Sequence, residues 1–82
     1  SNTSFDPGKK GEVLMIANKF SVDVNSRFYR EHYSDRGWGI LQDQELTDAR
    51  AMAFRRFGTE VRLVVKNSDM GSVVVINRVS SD

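Results

Sequence analysis

The stretch that most constrains this chain is Ala49 to Lys66. Glu60 to Lys66 alternates strongly after the turn pair Gly58-Thr59. Ala49 to Phe57 before it, Ala-rich enough to read also as helix, is taken as a strand because of that turn and its partner. A period of two is the signature of a strand with two unlike faces. Glycine at the first position of a two-residue loop suits a type II′ turn, so the segment is predicted to fold back as a hairpin. That turn pairs Phe57 with Glu60, Arg56 with Val61, Phe54 with Leu63 and Met52 with Val65. Met52, Phe54, Val61, Leu63 and Val65 then share one face. Beyond the polar turn Asn67 to Gly71, Ser72 to Val79 is the most β-branched segment and adds a further strand. With that turn centred near Asp69, Val73 and Val75 join the same face.

Upstream, Glu12 to Val22 is apolar and β-prone and predicts a strand, broken near Ala17-Asn18. Asp23 or Asn25 is placed to cap a helix that runs to about Arg36. Phe28 and His32 fall on one stripe of it, with Tyr29 and Tyr33 beside them. Gly37 ends the helix, because glycine enters the left-handed conformation without a Cβ penalty. Trp38 to Gln42 predicts a second strand, and Asp43 to Asp48 a polar loop. The resulting order is β-α-β-β-β(-β). This is an α+β fold: one helix packed on an antiparallel sheet of three to five strands, with Phe28, Tyr33 and Trp38 as the lid. Residues 1–11 are expected to be a flexible leader or linker, and residues 12–82 a single domain.

The chain has 82 residues, room for one domain. Its net charge of +1 supplies no general attraction for nucleic acid or an anionic membrane. With no cysteine, disulfides, zinc–thiolate sites and thiol nucleophiles are excluded. No apolar run approaches the roughly 20 residues of a membrane-spanning helix. His32 is the single histidine and sits in a helix face, where a structural role is expected. Asp43, Glu45 and Asp48 form an acidic loop that lacks the order and glycine of a calcium-binding loop. Gly37-Trp38-Gly39 follows a helix instead of opening one, which rules out a phosphate cradle. The expectation is a protein that is not an enzyme, with no catalytic residue, no metal ligand and no cofactor.

The second sheet face carries more information. On the predicted register it holds Ala53, Val64, Val74 and Ile76, edged by Phe57, Arg55, Arg62 and Lys66. A solvated sheet face normally reads polar. Arg55 and Arg62 also fall opposite one another, where like charges repel. Arg55, Phe57, Arg62, Val64, Val74 and Ile76 are therefore the candidate partner-binding residues, for a protein partner or for self-association through this face or the Ser72–Val79 strand edge. Two plainer accounts stay open. Val13 to Phe20 folds across and covers the face, or the register is off by one residue and the faces exchange. A competing function is a cytosolic nucleic-acid-binding domain that uses Arg55, Arg56, Phe57 and Arg62 on a basic sheet. The charge balance makes nucleic acid the weaker partner class.

Phe20-x-Val22, Phe28-Tyr29-Arg30, Gly37-Trp38, Met52-x-Phe54-Arg55 and the two valine-rich strands together resemble small bacterial envelope and lipoprotein-type domains of unknown function. In those, a strand leads into a helix marked by Phe-Tyr and Gly-Trp, and a three-strand meander follows. The resemblance covers about residues 16–79 and carries no catalytic residues. It implies a non-catalytic binding or assembly module of the bacterial cell envelope, periplasmic or lipid-tethered. Residues 1–11 would then be the spacer after an anchor on the precursor.

Overall fold

A computed structural model describes residues 9–81. The elements are β1 (Lys9–Asn18), α1 (Val22–Asp35), β2 (Gly39–Leu46), β3 (Ala49–Arg56), β4 (Thr59–Ser68) and β5 (Gly71–Ser81). The five strands form one antiparallel sheet in the order β1-β5-β4-β3-β2. The single helix packs on one face of it, so the fold is α+β. β1 already includes Lys9, Lys10 and Gly11, which the sequence reading had assigned to a leader; the rest of that leader lies outside the described residues.

Local chemistry sets the helix ends. Ser21, not Asp23 or Asn25, is the N-cap: its backbone is extended (φ −69, ψ 166) and its Oγ accepts from the Val24 N–H at 3.2 Å. Asp23 lies in the first turn, where a negative charge complements the helix dipole. At the other end Gly37 takes φ 83. The Gly37 N–H donates to the Ser34 carbonyl at 3.1 Å and the Trp38 N–H to the Tyr33 carbonyl at 3.0 Å. This pair of bonds is a Schellman motif. Its customary apolar contact is present too, with the Trp38 and Tyr33 rings 5.2 Å apart edge to face.

The β3–β4 turn is Phe57-Gly58, one residue earlier than expected, and Phe57 takes φ 53. Arg56 pairs with Thr59, Phe54 with Val61 and Met52 with Leu63. Moving the turn by one residue moves the register by two, so each side chain keeps its face but changes its partner. Arg55 thus lies opposite Glu60, not Arg62, and the expected arginine repulsion is replaced by an opposite-charge pair. The β4–β5 turn has the larger consequence. Ser68 pairs with Gly71, so the turn centres between Asp69 and Met70 and Val65 pairs with Val74. Half a residue at the turn is one residue in register, and one residue exchanges the faces.

The core therefore contains Met52, Phe54, Val61, Leu63, Val65 and Val74, each at most 1% exposed. Ile16, Val22, Tyr29, Tyr33, Trp38 and Ile76 pack against it. Tyr33 stacks on Phe54 with ring centroids 4.8 Å apart. Burying each large side chain contributes roughly 1.5–3 kcal/mol. Phe28, expected in the lid, is 58% exposed, and Tyr29 takes its place. Asp43 to Leu46 is not a loop: β2 continues through it, opposite Ala49 to Met52.

A polar network ties the β1–α1 junction to β5. Asn25 Nδ2 donates to Ser72 Oγ at 2.5 Å and to Asn18 Oδ1 at 2.8 Å. Asn18 Nδ2 donates back to Asn25 Oδ1 at 3.2 Å. Ser72 Oγ donates to the Phe20 carbonyl at 2.7 Å, and the Phe20 N–H to Asn18 Oδ1 at 3.0 Å. Gly71 sits beneath this junction at φ 147, and a Cβ there would run into the Asn18 carbonyl oxygen and the Lys19 backbone.

Candidate interaction surface

The helix covers only one side of the sheet, and directly paired residues show what the other side presents. Met15 pairs with Val75, Val75 with Val64 and Val64 with Ala51. These four form an unbroken apolar row across β1, β5, β4 and β3. Ala17 and Val73 extend it toward one end of the strands, beside Lys66 and Ala49. On the other side runs the row Val13, Asn77, Arg62, Ala53 and Gln42. Met15 is 68% exposed and Val13 is 70% exposed. Val64, Val73 and Val75 are half-buried by their neighbours, and Ala53 is buried between the longer Arg62 and Gln42.

Of the predicted surface residues, Val64, Arg62 and Arg55 lie on this helix-free face. Phe57 is in the β3–β4 turn, 84% exposed, with the Arg56 guanidinium 5.1 Å from its ring centre. Val74 and Ile76 are corrected: both face the helix, and Val74 is fully buried. Their places are taken by Val73 and Val75. Met15 and Ala51 complete the surface, and nothing in their local sequence singles them out. Four consecutive β-branched residues, Val73 to Ile76, carry no alternation that could say which pair faces in. The alternative in which Val13 to Phe20 folds across this face does not hold for Val13 to Asn18, which is part of the sheet at its edge. Nor is β5 an edge, since it lies between β1 and β4.

Positive charge predominates on this face, with Arg55, Arg62 and Lys66 set against Glu60. Arg62 Nε donates to the Glu60 carboxylate, and Arg55 is directly across from Glu60. Lys66 and Arg62 border the apolar row. Among the described residues no aromatic side chain belongs to the rows of this face, so the base-stacking platform of an RNA-binding sheet is missing from it.

The acidic segment of β2 faces the helix and has a structural duty. Asp43 accepts from Arg50 Nε at 2.6 Å and from Arg30 Nε at 2.9 Å, linking β2, β3 and α1. Partial burial works to raise the Asp43 pKa, but the two arginine hydrogen bonds and charges outweigh it and hold the carboxyl below its usual range. A concavity of about 340 Å³ beside it is lined by Ser21, Asp23, Glu45, Asp48, Arg50 and Asn67 among others. Among the described residues no three metal-ligating side chains come together. His32 lies between the rings of Phe28 and Tyr33, with centroids 6.1 and 5.0 Å away.

Fold and surface together define a small α+β domain with one helix-covered sheet face and one apolar face that no described element covers. Comparison with protein-family models, with curated proteins and with solved structures finds no match. Among the described residues no helix is long and apolar enough to cross a membrane.

Proposed function

We propose that this domain is a non-catalytic binding or assembly module that engages a protein partner through the helix-free sheet face. The observation that carries the reading is the apolar row Met15, Val75, Val64 and Ala51, which no element of the described chain covers. A bare sheet face of this composition favours a complementary apolar strip. Arg62 and Lys66 at its border favour a partner with acidic residues flanking that strip. The bacterial cell envelope is the proposed setting, supported by the Phe28-Tyr29 and Gly37-Trp38 resemblance alone.

The test is a photo-crosslinking residue at position 64 in cells, with position 27 on the exposed side of the helix as control. A discrete protein adduct from position 64, lost on Val75→Asp and absent from position 27, is the expected result. The variant must keep its native circular dichroism. Equal adducts from both positions, or none from position 64, remove the reading. Recovery of the natural precursor from the cytosol would remove the envelope setting.

A further inference from the structure

We infer that this chain pairs with a second copy of itself through the outer edge of β1, which no described strand occupies, joining two sheets into one continuous antiparallel sheet. This surface is the edge of the sheet; it shares Met15 and Val13 with the helix-free face but not Val64, so the two readings are tested by different variants.

The two edges of the sheet differ in how they are defended. A free edge presents unpaired N–H and C=O groups, and soluble proteins blunt it with bulges, charges, proline or a covering helix. β2 uses two of these devices. Its register slips between Ile40 and Gln42, and it carries Asp43 and Glu45. β1 uses none of them through its central stretch. Its ten residues pair with β5 without a register shift, it has no proline, and Val13 to Ala17 carries no charge. Nor does the helix shield its central stretch: α1 packs over β2 to β5 and meets β1 through the hydrogen bonds of Asn25 to Asn18 at its end. Both faces of the edge are apolar and open, with Val13 and Met15 70% and 68% exposed on one side and Leu14 55% exposed on the other.

The sequence of the edge identifies the occupant. Two copies related by a two-fold axis normal to the sheet pair antiparallel, with both helices on the same side. The uncharged block Val13-Leu14-Met15-Ile16-Ala17 is centred on Met15. An axis through Met15 therefore pairs the block with itself: Met15 with Met15, Leu14 with Ile16, Val13 with Ala17. Glu12 then meets Asn18, and no like charges within β1 are opposed. The same register joins the two apolar rows end to end.

Sedimentation of the intact chain from about 10 µM to about 1 mM tests this, with the mass expected to double from 9.3 kDa within that range. Leu14→Lys should weaken the dimer at least about tenfold, while Leu41→Lys on the β2 edge leaves it unchanged. Val13→Lys is the second variant should Leu14→Lys fail to fold. Because the chain has no cysteine, Met15→Cys gives a self-crosslinked dimer on mild oxidation and Val13→Cys does not. A monomer at every concentration overturns the inference. So does a dimer that survives the β1 lysine, one that Leu41→Lys abolishes, or one crosslinked equally from position 13. Val64→Asp leaves this dimer intact while removing the partner contact proposed for the other face, so the two readings fail separately.

Discussion

Asn25→Ala should cost the domain about 2–4 kcal/mol, because one side chain holds three hydrogen bonds at the β1–α1 junction. Its amide donates to Ser72 and Asn18 and accepts from Asn18. Asn25 is 4% exposed and Ser72 is fully buried, so water cannot readily replace the bonds to Ser72. At about 0.5–1.5 kcal/mol each, three bonds give roughly 1.5–4.5 kcal/mol. Two features trim the upper end. Ser72 Oγ keeps its bond to the Phe20 carbonyl, and half-buried Asn18 keeps its bond from the Phe20 N–H. The small cavity left by the amide works the other way. For a domain of this length the loss lowers Tm by roughly 10–25 °C. Urea denaturation followed by tryptophan fluorescence measures it. A cycle with Ser72→Ala should show coupling of at least about 0.5 kcal/mol, since the two side chains share a bond. A cost below about 0.5 kcal/mol, or strict additivity with Ser72→Ala, would show that the network orders the junction without stabilising it.

Phe54→Ala empties the centre of the core beneath Tyr33 and should cost about 3–5 kcal/mol by the same denaturation assay. Ser26 is 2% exposed and its Oγ has no hydrogen-bond partner among the described residues, so Ser26→Ala should raise stability by about 0.5–1 kcal/mol. Asp43 has its pKa lowered in the fold, so its contribution is present above the ordinary value of 3.8 and is lost as pH falls through the folded value. Asp43→Asn should therefore cost about 1 kcal/mol at pH 7, the modest scale of a largely solvated ion-pair network, and should flatten the acid limb of a Tm-against-pH curve. An unchanged acid limb would place the linkage elsewhere.

Both hairpins show how far alternation can be read along a chain. Met52, Phe54, Val61, Leu63 and Val65 are interleaved with Ala53, Arg62 and Lys66, so their common face was legible. It survived a misplaced turn because that error was an even number of residues in register. Val73-Val74-Val75-Ile76 has no polar member to mark a face. There the half-residue position of the β4–β5 turn was the only determinant, and the expected pair Val74 and Ile76 proved to be core. Phe28 and Tyr29 posed the same problem on the helix: both are aromatic, and only the angle at which α1 sits on the sheet selects Tyr29 for the interior.

Local chemistry in the chain was enough for the α+β class, the helix and its glycine stop, the strands of the hairpins and the apolar set of β3 and β4. Those depend on periodicity and on residues acting within a few positions of themselves. Sheet order, by contrast, was settled only when distant segments met. β1 joins β5 across more than fifty residues, which turns the N-terminal apolar strand into an edge, makes β5 interior and leaves one face uncovered by any described element. Long-range pairing is chosen by the free energy of the whole packed sheet, and no local pattern encodes which apolar strand a given edge will accept.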